Sequence, residues 1–507
     1  MTHSLIFSPL ATGPGAPSRQ QQLLARFKQA ILGGQLAAGG RLPSSRALCE
    51  ELQVSRNTVL AVYEQLVAEG YALADRQGTR AAPLAHASGA APASHALKTS
   101  HPAPAAQVAP GAAKQRVGAA STTGRQSRRV STMTPTRDAG DRSLPLTPGM
   151  PALNRFPVNA WLRAQERALK QAPSHVLGYG DPLGEPALRE AIAQYLRVAR
   201  GVRCEASQVV VTEGAQGALS LCVRLFSNPG ETAWMEDPGY GGVRAAFHSG
   251  DLKMVSMPVD GDGIVIPERL WRTRPARLVH VTPSHQYPTG AVLSLARRLE
   301  LIARAREAGS WIIEDDYDSE FRHRGHPVPA MQGLLPDAPV LYVGTFSKTM
   351  FPALRIGFLV LPESAGEGAW PALAEMLRGG HRLEQLALAE FIACGQFSRH
   401  LGRMRRLYRD RQQALREALA QNLDVPHEVL GGDGGLHLTA RLPLRYEDTA
   451  ISAAARAAGM NVGALSSFSS ARRQAASNGL VIGYGNTQEE QFAALVRRLA
   501  KIVRGLG

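Results

Sequence analysis

The stretch GTFSKTMFPALRIGFLVLP, residues 344–362, decides the fold of the larger part of this chain. It directly follows the apolar run VLYVG (340–344) and ends in a second apolar run, IGFLVL (356–361). Between the two runs lies Lys348, flanked by hydroxyl side chains, with Arg355 seven residues farther on. Apolar runs that end in polar turns are typical of the strands of an α/β sheet, where ligands bind beyond the strand ends.

Working outward from this stretch, apolar runs alternate with helical patterns from Ser143 to the C-terminus. This alternation predicts an α/β domain with a mainly parallel sheet over residues 142–507. The segment 81–141 is rich in Ala, Pro, Gly and Ser and contains almost no large apolar residues, which predicts a disordered basic linker. The other runs that read as strands are VVVT (209–212), LVHVT (278–282) and WIIEDD (311–316).

Length and composition exclude several classes of protein. The chain has 507 residues, 44% of them apolar, so it can build more than one core. Its four cysteines contain no CxxC pair, which argues against a disulfide scaffold or zinc ribbon and favours a reducing compartment. No apolar run reaches the roughly 18 residues of a membrane span, and no signal-peptide pattern is present. We therefore expect a cytoplasmic protein that does not associate with membranes.

Positive charge is concentrated at the beginning of the chain. The net charge is +15, and residues 1–140 hold 15 basic and 6 acidic side chains. This distribution predicts a polyanionic partner, for which double-stranded DNA is the candidate. Only 7 of the 57 basic residues are lysines, so Lys348 is not readily explained as a generic surface charge.

The segment 18–80 has the pattern of three short helices. Ser44 or Ser45 can begin the second helix, SSRALCEEL, and Ser55 can cap the third, RNTVLAVYEQLVAEG. The first helix is predicted from apolar residues at helical spacing. These residues are Leu23, Phe27 and Ile31, followed by Gly33 and Gly34 as its end.

Two short helices joined by a tight turn predict a helix-turn-helix, in which the start of the second helix reaches base edges in the major groove. The following segment YALADRQGTR (71–80) predicts a β-wing, with Arg76 and Arg80 placed to contact phosphates. Helical spacing alone leaves open a small interaction domain that does not bind DNA. The third helix would be the recognition helix, and the residues at its start are Arg56, Asn57 and Thr58.

Small or polar side chains follow the other predicted strands as well. The loop PSHQYPTG (283–290) follows LVHVT, and Asp315 and Tyr317 follow WIIE. Asp315 and Tyr317 are two residues apart, so they face the same way if the backbone stays extended. The turn after VVVT opens a helix whose N-terminus can hold a phosphate. This turn contains Gly214, Ala215 and Gln216.

Taken singly, Lys348 reads as a surface lysine and Asp315 as a loop-capping carboxylate, but together they fit one cofactor, pyridoxal 5'-phosphate (PLP). PLP needs a lysine that captures its aldehyde, a carboxylate at its ring nitrogen, a donor at its ring oxygen and a phosphate cup. Lys348, as the catalytic residue, Asp315 and Tyr317 would fill the first three roles. No metal site is predicted. The cup would consist of Gly214, Ala215, Gln216, Thr345, Ser347 and Arg355.

The segment RLPSSRALCEELQVSRNTVLAVYEQLVAEGY (41–71) resembles the winged helix-turn-helix of GntR-type bacterial regulators. The resemblance departs from the family pattern at Gln53, where glycine is common, and in a wing without a double-glycine tip. The DNA contacts that the resemblance implies come from the second helix, the third helix and the wing tip. These residues are Arg46, Arg56, Thr58, Gly78 and Thr79. The helix cap Ser55 and the adjacent residue Asn57 are added to the predicted DNA-binding set.

A second resemblance covers the rest of the chain after the linker. It rests on YGDPLGEPALREAI (179–192), DPGY (237–240), TPSHQYPTG (282–290), EDDYDSEF (314–321) and the stretch quoted first, which look like a fold-type I aminotransferase domain. The two modules together resemble the MocR subfamily of GntR-type regulators. This implies that Tyr240 stacks on the pyridine ring and that Tyr179 reaches the phosphate of the cofactor in the partner subunit. It also implies a head-to-tail homodimer, in which the DNA-binding domain of one chain lies against the aminotransferase-like domain of the other.

Two departures from ordinary aminotransferases bear on activity. Tyr287 replaces the usual asparagine, which leaves the ring oxygen to Tyr317 and His285. The stretch 478–482 lacks the arginine that holds a substrate carboxylate, and Arg472 and Arg473 are out of register.

The sequence therefore predicts a PLP-dependent, DNA-binding transcription regulator that senses PLP, an amine or an amino acid. Two alternatives remain open. One is a working aminotransferase with an appended DNA-binding domain, and the other is a DNA-binding protein that uses an inactive aminotransferase domain only to dimerise.

Overall fold

The chain divides into two compact units, residues 1–119 and residues 120–507, and each is described by itself. Most of the segment predicted as a linker, with Gly33, Gly34 and Arg76, lies outside the described residues. The computed structural model describes residues 6–11, 19–32, 35–37, 39–68, 72–75, 78–81, 127, 129, 141–323, 328–470 and 477–507.

The first unit consists of three helices and a hairpin: α1 (Arg19–Leu32), α2 (Ser45–Leu52), α3 (Arg56–Ala68), β1 (Ala72–Asp75) and β2 (Gly78–Ala81). The two strands pair antiparallel, as expected for a wing. Leu23, Phe27 and Ile31 are buried in its core, which confirms the predicted inner face of α1. Gln53 ends α2 with φ 50°, in the left-handed region that favours glycine.

Both predicted helix caps are present. Ser44 Oγ accepts a hydrogen bond from the Ala47 amide at 3.2 Å, so Ser44 rather than Ser45 caps α2. Ser55 Oγ accepts one from the Thr58 amide at 3.1 Å and lies 2.8 Å from the Thr58 hydroxyl. Each serine thereby satisfies an amide that has no partner within its own helix.

The second unit contains helices on both faces of a large sheet and a smaller sheet near the C-terminus. Its helices of more than one turn are α4 (Val158–Gln171), α5 (Pro186–Arg200), α6 (Gly214–Phe226), α7 (Gly241–Ser249), α8 (Glu268–Thr273), α9 (Leu295–Ala308), α10 (Glu363–Met376), α11 (Arg382–Ala393), α12 (Gln396–Asn422), α13 (Asp448–Ala457) and α14 (Phe492–Gly505). Its strands are β3 (Val209–Thr212), β4 (Thr232–Asp237), β5 (Lys253–Asp260), β6 (Gly263–Ile264), β7 (Leu278–Val281), β8 (Trp311–Asp316), β9 (Val340–Thr345), β10 (Gly357–Val360), β11 (Glu428–Leu430), β12 (His437–Arg441), β13 (Gly463–Ala464) and β14 (Gly479–Gly483).

The large sheet has eight strands in the order β3-β10-β9-β8-β7-β4-β5-β6. Strand β10 runs antiparallel to both neighbours and β6 runs antiparallel to β5, while the other pairs are parallel. The predicted mainly parallel sheet is confirmed. Successive residues of β8 enter different cores, Ile312 with α9 and Ile313 with α6 and α7, because side chains alternate across a strand.

This topology brings distant parts of the chain to one edge of the sheet. Strands β3, β9, β8, β7 and β4 run in the same direction, so their carboxyl ends lie together. Gly357, at the start of β10, is in register with both Thr212 and Thr345, and Asp316 is in register with Gly344. The polar turns identified in the sequence therefore meet at this edge.

The smaller sheet is antiparallel, with the order β11-β12-β14-β13, and the sequence did not predict it. Leu438, Ala440, Leu480 and Ile482 enter the main apolar core. The residues that alternate with them, among them Val481, lie on the opposite face of this sheet. None of the helices in the described part of the chain is both long and apolar enough to cross a membrane.

Candidate functional site

Lys348 lies three residues beyond β9, and its position is fixed by the backbone of the segment before α4. Its Nζ donates a hydrogen bond to the Gly149 carbonyl oxygen at 2.7 Å. Gly149 has φ 67°, and a Cβ built there would lie 3.4 Å from Nζ. The neighbouring hydroxyls are organised as well, because the Ser347 amide donates to Thr345 Oγ1 at 3.1 Å. The lysine amine is thus held at the sheet edge.

Asp315 is buried at the end of β8, with only 3% of its surface exposed. One carboxylate oxygen, Oδ2, lies 3.3 Å from His280 Nε2, while Oδ1 has no hydrogen-bond partner among the described residues. Leaving a buried acceptor unpaired costs about 1–3 kcal/mol, so this oxygen fits a donor supplied by a ligand. A protonated pyridine nitrogen is such a donor, and the residues present therefore fit PLP.

Tyr317, His285 and Asp318 form a hydrogen-bonded group beside Asp315. His285 Nδ1 lies 3.0 Å from the Tyr317 hydroxyl and 3.1 Å from both Asp318 oxygens. Since a carboxylate only accepts, Nδ1 carries a hydrogen that it donates to Asp318. Burial, reinforced by the Asp318 charge, raises the pKa of Tyr317 well above its usual value, so its hydroxyl stays protonated.

The predicted phosphate cup is partly assembled around the first residue of α6. Gly214 has φ 70°, and a Cβ there would lie 3.3 Å from Arg355 Nη2. Arg355 Nη2 also donates to the Glu213 carbonyl oxygen at 2.9 Å. The Gln216 side chain instead donates to the Gly242 carbonyl oxygen at 3.0 Å and links α6 to α7. Ala215, next to Gly214, packs partly against the apolar core.

Aromatic rings gather around Tyr287, the residue that replaces an asparagine. The Tyr287 ring meets four rings edge-on, with centroid distances of 5.1–6.2 Å. Tyr240, at the start of α7, is one of these four rings. Tyr179, the other tyrosine predicted to contact a cofactor, does not belong to this group, and 94% of its surface is exposed. The four rings around Tyr287 are those of Tyr240, Tyr317, His437 and Phe468.

Two carboxylates that were not predicted from the sequence fasten the loops of the site. Glu236 accepts hydrogen bonds from the Thr282 amide and hydroxyl and from the Gln286 side chain, at 3.1, 2.5 and 3.3 Å. Asp237 accepts from the Ser470 amide and hydroxyl at 3.0 and 2.5 Å. Two acids at the end of an apolar strand, in WMEDPGY, were the available signal.

His437 and Asp318 were also missed, although both are buried at the site. His437 Nε2 lies 3.0 Å from the Pro288 carbonyl oxygen, and the Thr439 hydroxyl donates to the same oxygen at 2.6 Å. Burial lowers the pKa of His437 to about 3, so this imidazole is neutral. Ligand atoms of His285, Asp318 and His437 lie within 4.8 Å of one another, and these three buried side chains form one polar group at the site.

In the first unit, the predicted DNA-contacting residues cluster at the start of α3. Ser55, Arg56 and Asn57 are exposed, and Thr58 is half-buried beside its cap. Arg46 in α2 is exposed, and its Nε lies 3.7 Å from Glu50 Oε1. On the wing, Gly78 is exposed and Thr79 is half-buried. Arg80, also on the wing, donates a hydrogen bond from Nη1 to the Gly39 carbonyl oxygen at 3.2 Å, and its predicted phosphate contact stays a prediction.

Two family models match the chain. The model of aminotransferase class I and II matches residues 145–499, and that of the gntR family of bacterial regulatory proteins matches residues 19–80.

Individual proteins agree with this division. The chain is 38% identical to the probable rhizopine catabolism regulatory protein MocR of Rhizobium meliloti, over 92% of this chain and 89% of the relative. It is 31% identical to the HTH-type pyridoxine biosynthesis transcriptional regulator PdxR of Corynebacterium glutamicum, over 98% of each. Among solved structures, the α-aminoadipate aminotransferase LysN of Thermus thermophilus, complexed with N-(5'-phosphopyridoxyl)-L-leucine, matches with a TM-score of 0.65 and 26% identity. That match covers 75% of this chain and 95% of LysN.

Proposed function

This chain belongs to the MocR subfamily of the GntR family of bacterial transcription regulators, whose DNA-binding helix-turn-helix precedes an aminotransferase-like domain, and we propose that its second unit binds PLP and senses a small-molecule effector. Effector binding would favour one of two arrangements of the DNA-binding units. A coupling free energy of about 1–3 kcal/mol is typical of such control.

At the DNA end, the exposed start of α3 would read an operator. Arg56, Asn57 and Thr58 are proposed to reach base edges, with Ser55 fixing the backbone at that point. Arg46 and the wing residues Gly78 and Thr79 would contact the DNA backbone or the minor groove. Because phosphate contacts release counterions, operator affinity should fall steeply with salt.

At the cofactor end, each residue of the site has a proposed task. When bound, PLP supplies an aldehyde that reacts with primary amines and a ring that withdraws electrons. Lys348 would hold the aldehyde carbon, Asp315 would accept a hydrogen bond from the ring nitrogen, and the protonated Tyr317 would donate to the ring oxygen. Tyr240 would cover the ring face. The phosphate would lie at the start of α6, between Gly214, Ala215, Gln216, Thr345, Ser347 and Arg355.

A homodimer is part of the proposal. The exposed side chains of Leu177 and Tyr179 support it, because at 76% and 94% exposure two large apolar side chains two residues apart leave a shared patch in contact with water. In a head-to-tail dimer the Tyr179 ring would lie at the cofactor site of the partner.

One observation carries the cofactor proposal: an unpaired, buried oxygen of Asp315 and the oriented amine of Lys348 lie at the same sheet edge. The test is treatment of the PLP-loaded protein with borohydride, followed by peptide mapping. We expect the reduced cofactor on Lys348, its complete loss in Lys348→Ala, and no change in Lys253→Ala, an exposed control. Recovery of the cofactor on another lysine would contradict the assignment. Colourless protein that binds operator but retains no added PLP would instead favour a domain that serves only dimerisation.

A further inference from the structure

We propose that the effector is a primary amine that carries no carboxylate. The inference rests on the proposed function, since it concerns the ligand that meets the cofactor site. It comes from the side of the site that faces the smaller sheet, where the face made of His437, Thr439 and Val481 carries no cationic side chain among the described residues. Three features support it. They are the side chains on one face of the smaller sheet, the aromatic rings around Tyr287, and the buried carboxylates on the other side of the site.

The face of the smaller sheet is identified by alternation along β12 and β14. Leu438, Leu480 and Ile482 enter the main core, so His437, Thr439 and Val481 lie on the other face. His437 and Thr439 bond to the carbonyl oxygen of Pro288, next to Tyr287, and this contact shows that the face is turned towards the site.

Val481 occupies the middle of this face. It is in register with Thr439 on one side and Gly463 on the other. A Cβ built on Gly463 would lie 3.4 Å from Val481 Cβ and 3.3 Å from Phe468 Cε2, so Val481 and Phe468 both border Gly463. Val481 is fully buried and has no polar atom in its side chain. A carboxylate placed here would lose its hydration without gaining a donor.

The polar groups of the same face are acceptors or are already occupied. His437 is neutral, and because Nε2 faces the Pro288 carbonyl oxygen, Nε2 carries its hydrogen. Its other nitrogen, Nδ1, is therefore an acceptor, and it has no hydrogen-bond partner in the described part of the chain. The Thr439 hydroxyl hydrogen is donated to Pro288. A ligand that brings N–H or O–H donors matches this face better than one that brings a carboxylate.

The opposite side of the site is acidic. Asp315, Asp318 and Glu236 are all buried there, and each raises the pKa of Tyr317. Lys348 and Arg355 are the cations assigned to the cofactor. Two arginines line the pocket beside His285 and Asp318, but Arg200 is paired with Asp316 at 2.8 Å and Arg322 lies 3.9 Å from an Asp433 oxygen. An anionic ligand would meet like charges at low dielectric, whereas an ammonium group is attracted both to carboxylates and to ring faces such as those around Tyr287.

Three pairs of compounds that differ by one carboxylate test the inference on the PLP-loaded protein: 2-phenylethylamine and phenylalanine, 2-aminoethanol and serine, and 1,4-diaminobutane and ornithine. The readouts are the visible absorbance of the cofactor and operator affinity measured by fluorescence anisotropy. In at least one pair, the amine should act at a concentration about tenfold or more below that of its amino acid.

An amino acid that acts at an equal or lower concentration than its amine in every responding pair would overturn the inference. So would the absence of any response while the cofactor is trapped on Lys348, and in that case the proposed function would stand. If no cofactor were trapped on Lys348, the proposed function itself would be contradicted. Failure of the inference about the effector can therefore be distinguished from failure of the proposed function.

Substitution of Val481 sharpens the test. Val481→Arg should shift the preference about tenfold or more towards the amino acid, and Val481→Leu should leave it unchanged. Retained cofactor trapping and operator binding show that each variant is folded. Arg472 and Arg473 lie outside the described residues, so Arg472→Ala/Arg473→Ala is a necessary arm. A preference for amino acids that this double variant abolishes would place the carboxylate contact on residues 471–476 and refute the inference.

Discussion

In the first unit, the proposed DNA contacts from Arg46 to Thr58 fall within 13 residues of sequence and are mostly exposed. In the second unit, the proposed cofactor contacts run from Gly214 to Arg355, adjoin five strands of one sheet, and are mostly buried or half-buried. A local, exposed site depends on one helix and its cap. A site assembled from distant turns depends on the whole sheet and on buried hydrogen bonds. We therefore expect a substitution in one site to lower the affinity of that site for its ligand without changing the affinity of the other.

The largest effect is expected at Asp315. Asp315→Asn keeps the shape of the side chain but removes the charge that would face the ring nitrogen. Breaking a buried charge pair costs about 3–5 kcal/mol, so PLP affinity should fall at least about a hundredfold. Titration of apoprotein with PLP, followed by absorbance, measures this loss. Asp262→Asn, at an exposed position, is the control, and operator binding by the apoprotein should not change in either variant. Equal PLP affinity in wild type and Asp315→Asn would remove Asp315 from the site.

The next effect concerns the first unit alone. Arg56→Ala should weaken binding to a good operator by about 1–3 kcal/mol if its guanidinium contacts a base, because a bidentate base contact is worth that much. Anisotropy titrations at fixed salt measure it, with Arg399→Ala, an exposed arginine of α12, as the control. PLP trapping should be unaffected. An equal loss on operator and on random DNA would make Arg56 a phosphate contact and would weaken the contrast between the units.

A third prediction uses pH to separate the units, because no histidine is present among residues 19–81. Burial lowers the pKa of His400 to about 4, below the ordinary value of 6.5. The unfolded chain therefore binds a proton that the folded chain does not bind as pH falls from 7 to 5. The second unit should lose about 2 kcal/mol of stability from this residue over that range.

The measurement is denaturant unfolding at several pH values, monitored separately by PLP absorbance and by operator binding. His400→Gln should reduce the loss of stability between pH 7 and 5 seen by the first probe by about 2 kcal/mol, with the contribution of the buried His437 remaining, and leave the second probe unchanged. An unaltered slope in His400→Gln would show that this imidazole is not held neutral in the folded unit.

The same contrast explains what the sequence could predict. The Ser55 cap and the strands 209–212 and 311–316 were predicted correctly, and Ser44 is one of the two caps predicted for α2, because capping and apolar runs are local signals. Lys348 and Asp315 were singled out because polar residues after parallel strands meet at one edge. Their roles, like those of the DNA contacts, remain predictions.

What the sequence did not predict depends on long-range contacts. The antiparallel sheet of β11 to β14 has strands of two to five residues, which are too short to give a clear period. His437 joins the site only because β12 lies against Pro288, 149 residues earlier in the chain. Glu236 fastens a loop that begins 46 residues later, so its role could be read only after the strand order was known.

The smallest expected effect tests how local the first site is. Ser55→Ala removes the acceptor for the Thr58 amide, and loss of such a cap costs about 1 kcal/mol. Because Thr58 and Arg56 lie in the same first turn, fraying there should lower operator affinity severalfold as well as the stability of the first unit. Ser55→Asp retains an acceptor and should restore stability but not affinity, since it places a negative charge at the DNA surface. Ser467→Ala, at an exposed serine of the second unit, is the control. If Ser55→Ala lowered PLP affinity to the same extent as operator affinity, the two sites would not be separable, and the comparison between a local and an assembled site would fail.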